Sequence, residues 1–326
     1  MSTERGTFPA LPPALTGERR EIASPAGRLS YYVAGPGPES VAGAGAVTGA
    51  GLDAGTGGGA RPAPVLLIHS VNAAGSAYEV RPLYERLRPA RTVYALDLPG
   101  FGFSDRSERA YTPRLMTDAV LAMVDEIRAL HGGVPVDALA LSLASEFLAR
   151  AAVERPDAFR TLALVSPTGF SGRGPREGAP GSDRGMPGFH RVVAARAWRR
   201  ALFGALTRRG TIRYFLQRTY GGKQVDEGLL DYDWLTTHQP GAEHAPLYFL
   251  SGFLFSADVG RLYRRLTQPL WMSHGVRGDF VDYRHEAEFA GNPRWRLDVF
   301  PTGALPHFEQ PDEFARCYRA FLDAGR

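Results

Sequence analysis

From Val65 onward, short runs of apolar residues alternate with stretches of helical spacing. VLLIH (65–69), TVYAL (92–96), VDALAL (136–141) and LALV (162–165) are nearly continuous apolar runs. Such runs predict strands covered on both faces. Apolar residues recur at three- and four-residue intervals over 78–87, 114–130 and 143–153, which predicts helices between those strands. The alternation stops after residue 165. Residues 170–186 are rich in Gly, Pro and Arg, and 187–264 read as mainly helical and aromatic. Strand-like segments return at 270–273 and 296–300, and an amphipathic helix is expected over 312–322. Ahead of the alternation, RLSYYVA (28–34) reads as a strand with a partner around 21–23.

This order predicts an α/β fold. A mostly parallel sheet with crossover helices is interrupted late by a helical insertion. The expected organisation is a core of residues 21–169 and 265–326, with a helical cap over 170–264. Residues 1–20, rich in Pro and charge, are expected to be a flexible start. Residues 35–63 are mostly Gly, Ala, Pro and Ser. They bury too little apolar area to offset ordering entropy and read as a flexible loop.

Composition narrows the function classes. The chain has 326 residues and a net charge of +4, from 38 basic and 34 acidic residues. The two signs are interspersed, so no element carries the basic concentration a nucleic-acid binder needs. Lys223 is the only lysine and Cys317 the only cysteine, so no internal disulfide can form. Cys317 reads as core. No apolar run reaches the length of a membrane span. The first 20 residues lack the apolar stretch of a signal peptide, so a cytoplasmic location is expected. No paired His/Cys spacing suits a metal, and no strand is followed by a dinucleotide-binding glycine fingerprint. No cofactor is implied, and the expected partner is a small-molecule substrate.

The chemistry concentrates at ALALSLASEFLA (138–149). Ser142 stands between the end of a buried strand and the start of a helix, with Ala140 and Ala144 flanking it at two removes. A sharp strand-to-helix turn needs small residues there and projects its serine from the sheet. A helix-capping role is the simpler reading of a serine so placed.

The motif order resembles the α/β-hydrolase superfamily over nearly all of residues 21–325. HSVNAAGSAYEVRPL (69–83) is similar to its oxyanion-loop segment, DLPGFGFSD (97–105) to its D-x-P-G-x-G-x-S stretch, and ALSLAS to its nucleophile elbow. HGVRGD (274–279) is similar to the acid loop and GALPHFEQPDEF (303–314) to the histidine loop. The resemblance implies Ser142 as nucleophile, with the backbone N–H groups of Val71 and Leu143 stabilising an oxyanion. Asn72 is a possible additional donor, or simply a turn former. Asp279 is the implied acid, with Asp282 as runner-up.

The histidine loop departs from the family pattern. Aligned on Glu309-Gln310-Pro311, Ala304 stands where the first, catalytic histidine usually is, and His307 matches the second. Either His307 serves as base from a rearranged loop, or the orthodox triad is broken. His69 and His274 end strands nearby and read as structural hydrogen-bonding groups.

Three functions follow. The first is a serine-dependent hydrolase of an ester or thioester on a largely apolar small molecule. The second is a non-hydrolytic lyase, eliminating enzyme or cyclase of specialised metabolism on the same fold. The third is a ligand-binding protein without turnover. Trp234, Tyr248, Phe249, Phe253 and Phe255 of the insertion either secure it to the core or line an apolar pocket. Its arginines (Arg196, Arg199, Arg200, Arg208 and Arg209) either meet an anionic group or form a solvated face.

Overall fold

The apolar runs become the middle of a sheet, and their two-residue period sorts each side chain to one of two cores. In the computed structural model, which describes residues 8–36, 62–172 and 177–325, the strands are β1 (Glu18–Ser24), β2 (Gly27–Ala34), β3 (Val65–Ile68), β4 (Val93–Asp97), β5 (Val136–Leu141), β6 (Phe159–Val165), β7 (Leu270–Gly275) and β8 (Trp295–Phe300). They lie in the order β1-β2-β4-β3-β5-β6-β7-β8. β2 pairs antiparallel with β1 and β4, and every later pair is parallel.

The crossover helices are α1 (Arg81–Leu87), α2 (Pro113–Leu130) and α3 (Ala144–Glu154). On β3, Leu66 and Ile68 join one core with Met116, Val120 and Phe147 from α2 and α3. Val65 and Leu67 face the opposite core with Leu83 of α1. The same core takes Phe314, Tyr318 and Leu322 from the last helix, named α11 below (Pro311–Ala324). A strand with both faces covered has no polar side, which is why the sequence shows a run instead of an alternation.

Between β6 and β7 the described residues form six helices: α4 (Pro187–Val193), α5 (Arg199–Leu206), α6 (Arg209–Tyr220), α7 (Glu227–Thr237), α8 (His244–Leu250) and α9 (Val259–Arg264). A four-residue helix, α10 (Pro306–Glu309), precedes α11. A buried ion pair ties the insert to α3. Arg150 Nη2 donates to Asp258 Oδ1 at 2.7 Å, and the other Asp258 oxygen accepts the Gly181 N–H at 2.8 Å. The insert arginines Arg196, Arg199, Arg200 and Arg209 meet protein acids, among them Arg199 with Glu108 at 2.6 Å.

Residues 8–20 differ from the expectation of a flexible segment, and residues 1–7 lie outside the described residues. Ala14 and Leu15 are buried. Ala14 N–H donates to Tyr32 Oη at 3.0 Å, Tyr232 Oη donates to Pro12 O at 2.9 Å, and Gln239 Nε2 donates to Pro9 O at 2.8 Å. Polar atoms on largely covered side chains need partners, and this arm's main chain supplies them. The predicted loop at 35–63 lies almost wholly outside the described residues.

The DLPGFGFSD segment folds around one carboxylate. Asp97, fully buried at the end of β4, accepts the N–H of Ala77 at 2.9 Å and of Phe103 at 3.0 Å. Ser104 Oγ donates to Asp97 O and accepts the Ser30 N–H at 2.8 Å. Gly102 has φ +50, and a methyl there would sit 2.0 Å from Asp97 Cγ. Gly102→Ala is therefore expected to lose about 3 kcal/mol or more in urea unfolding, from both strain and overlap. Gly132→Ala is the control. Its φ is +67 but nothing lies within 4 Å of the added methyl, so only the strain of about 1–2 kcal/mol should appear. Equal losses at the two positions would refute the account of Asp97.

Candidate active site

β5 ends at Leu141 and α3 begins at Ala144, leaving Ser142 and Leu143 to make the turn. Ser142 has φ +50, one of two non-glycine residues with positive φ among the described residues. That backbone costs about 1–3 kcal/mol and persists only where the surroundings impose it. Here Ser142 N–H donates to Val165 O at 2.8 Å, and Ser145 N–H donates to Ser142 O at 3.1 Å. Ala140 and Ala144 are fully buried, so larger side chains would have no room. Ser142 Oγ makes no hydrogen bond among the described residues, and a side-chain cap does not account for its position. The N–H groups of Val71 and Leu143 likewise have no partner among them.

The loop carrying Val71 is set by His69, the expected structural histidine, and by Glu79. His69 Nε2 accepts the Leu98 N–H at 3.0 Å, so its proton sits on Nδ1, 2.6 Å from Ser70 O. Burial pushes this imidazole down to about 4, which keeps it neutral. Glu79, in a 3-10 turn at Ala77–Val80, accepts the Ser70 N–H at 2.7 Å and Asn72 Nδ2 at 2.8 Å. Asn72 also donates to Ser70 Oγ at 2.9 Å and accepts the Ala74 N–H at 2.6 Å. Its amide is thus spent on the turn and on Glu79.

The implied triad members are not brought together. His307 is buried in α10, and its Nε2 donates to the main-chain oxygen of Glu79 at 2.8 Å. Its Nδ1 is buried without a partner. Burial pushes the ring down to about 4. Asp279 pairs with Arg218 at the surface, and Asp282 pairs with Arg284 at 2.7 Å while accepting the Gly172 N–H at 3.3 Å. No hydrogen bond links His307 to Ser142, Asp279 or Asp282 among the described residues. His274 stacks on Tyr283, with its Nε2 2.8 Å from Glu286 Oε2.

Two cavities meet at Ser142. One, of about 190 Å3, is lined by Val71, Asn72, Leu143, Phe249, Ala304 and Leu305, and by two carboxyl groups, Glu79 and Asp233. The second, of about 230 Å3, includes Asp279 and Asp282 in its lining. Ser142, Ser166, Thr168, Phe255 and Phe280 border both. No histidine borders either among the described residues. Ala304 does, at the place where the family pattern has an imidazole. Of the insert's aromatics, Phe249 and Phe255 reach the cavities, whereas Tyr248 and Phe253 pack with His190.

Sequence reasoning missed Glu79, Asp233 and Glu146. Glu146, one helical turn beyond Ser142, is buried. It accepts from Thr168 Oγ1 and, at 2.6 Å, from the Ser256 N–H. Burial pushes its carboxyl up to about 7, from an ordinary 4.5. The folded state therefore holds a proton that the unfolded chain releases. That stabilisation is complete below pH 4.5 and is lost as pH rises through about 7. Relative to wild type, Glu146→Gln should gain about 3 kcal/mol between those limits in unfolding experiments. A pH-independent difference would remove Glu146 as the cause.

Among the described residues no helix is long and apolar enough to cross a membrane, and no group of three or more His, Cys, Asp or Glu is placed to hold a metal ion. No curated protein sequence matches the chain. A serine hydrolase involved in carbazole degradation superposes with a TM-score of 0.68 at 14% identity, over 95% of this chain and all of the other. A meta-cleavage product hydrolase from Pseudomonas fluorescens gives 0.65 at 18%, over 94% and 98%. A thermophilic esterase from Thermogutta terrifontis gives 0.65 at 18%, over 95% and 99%. At these identities the likeness is one of fold. The sequence profile described as the alpha/beta hydrolase family matches residues 65–317. The chain therefore belongs to the alpha/beta hydrolase family.

Proposed function

We propose that the protein is an enzyme acting on a small, largely apolar carbonyl compound, an ester or thioester, by acyl transfer to Ser142 and then to water. One observation carries this reading: Ser142 is held at φ +50 with a free Oγ where two cavities meet. A strained serine at the mouth of a pocket is the form an attacking hydroxyl takes in this fold. In this reading the free N–H groups of Val71 and Leu143 receive the carbonyl oxygen as it gains charge. The insert between β6 and β7 acts as a cap, its Phe249 and Phe255 giving the pocket apolar walls.

A second reading is supported by the engagement of His307 with Glu79 O. A serine without an imidazole base is a weak nucleophile. The same pocket then suits elimination or cyclisation, with a carbonyl polarised by the two N–H groups and protons moved by carboxyl groups. A fluorophosphonate probe separates the two. Covalent labelling at Ser142, lost in Ser142→Ala, supports acyl transfer. A folded but unlabelled protein that converts a carbonyl substrate without taking oxygen from labelled water supports the second.

A further inference from the structure

Asp233 is the side chain that the chemistry at Ser142 leaves unexplained. It lies on α7, is 5% exposed, and borders the first cavity. Its Oδ1 is buried with no hydrogen-bond partner. The charged groups acting on it are Glu79 and Asp226, both acids, and Tyr220 lies close enough to feel its charge. No basic side chain is among them. Two carboxyl groups sharing one apolar cavity cannot both ionise cheaply.

The two are not equivalent. Each Glu79 oxygen accepts an N–H, from Ser70 and from Asn72. The His307 bond to its main-chain oxygen fixes the turn that carries it. Asp233 has no such donors. Burial pushes both carboxyl groups up, and the donors pull only Glu79 back.

We propose that Asp233 stands in the cavity as a neutral carboxylic acid beside an ionised Glu79, and donates a hydrogen bond to an uncharged oxygen of the ligand. The ligand class is therefore a neutral molecule bearing a carbonyl, ether or hydroxyl oxygen. A carboxylate placed there would face Glu79 without a cation and is rejected. This rests on the cavity at Ser142 being the ligand site.

Infrared spectroscopy tests the protonation state without turnover. Wild type should show a protonated carboxylic acid absorption that persists above the ordinary carboxylate range and that Asp233→Asn lacks, since burial and the neighbouring acids push this carboxyl up. Glu79→Gln removes the neighbouring charge, so the same absorption should vanish at a lower pH than in wild type. Calorimetry with hexanamide and hexanoate tests the ligand class. Hexanamide should bind at least about tenfold more tightly, and Asp233→Asn should keep that preference while Asp233→Leu weakens hexanamide about tenfold.

Identical wild-type and Asp233→Asn spectra would overturn the proposal, as would an unmoved transition in Glu79→Gln or equal binding of the two ligands. If Ser142 is unlabelled by fluorophosphonate while the acid absorption and amide preference persist, acyl transfer fails and Asp233 stands. The reverse combination keeps Ser142 and removes Asp233.

Discussion

Replacing Ser142 by alanine is expected to lower ester or thioester turnover by about a thousandfold or more, with the fold intact. That corresponds to about 4 kcal/mol of lost transition-state stabilisation. The residue sits in a turn whose main-chain bonds, to Val165 O and from Ser145 N–H, do not use its side chain. Removing Oγ therefore removes the proposed nucleophile without removing a structural contact. Ser142→Gly adds a second readout. Glycine adopts positive φ without penalty, so this variant should be as inactive as the alanine one but about 1 kcal/mol more stable. Steady-state rates on p-nitrophenyl esters and urea unfolding provide the two measurements. Retained turnover in both variants would show that the strained serine is not the reacting group.

Asp258→Ala is expected to lose about 3–5 kcal/mol of stability, because it leaves the Arg150 guanidinium buried and uncompensated. The Arg150 and Asp258 side chains are 10% and 3% exposed, so solvent screens little of the loss. Gly181 N–H loses its acceptor as well. The combined change Arg150→Met with Asp258→Leu should recover most of the loss, since an apolar pair needs no partner. Thermal and urea unfolding would show both effects. A single variant within about 1 kcal/mol of wild type would mean that water reaches Arg150. The pair joins α3, the helix that follows the Ser142 turn, to the insert that walls the cavity, so a labelling rate reduced in Asp258→Ala and restored in the double variant is expected alongside.

Much of the fold was legible because burial on both faces leaves a direct trace. Val65–Ile68 and Val136–Leu141 are continuous apolar runs in the sequence and central strands in the sheet. The DLPGFGFSD stretch was legible for a different reason, since Asp97 and Gly102 are dictated by one another's atoms. The sharp turn at Ser142 was legible from the small residues around it.

The acid-base groups were harder. Matching His307 to a motif position gave no information on where its nitrogens point: Nε2 points to the main-chain oxygen of Glu79, and Nδ1 has no partner among the described residues. Glu79 and Asp233 were passed over because acidic residues on helices are ordinarily solvated. Asp233 did leave a signal. Leu229, Leu230, Thr236 and Thr237 are the buried positions around it on α7, so the helical period already put that aspartate on the inward face. The N-terminal arm was misread because proline and charge suggest mobility, whereas its carbonyl oxygens are what Tyr232 and Gln239 require.

Residues 9–15 of that arm brace α7, the helix that carries Asp233 to the cavity. Tyr232 immediately precedes Asp233, and its hydroxyl is anchored on Pro12 O. Removing residues 9–15 is therefore not neutral trimming. It removes the anchor of a helix that lines a pocket whose residues lie more than fifty positions away in sequence.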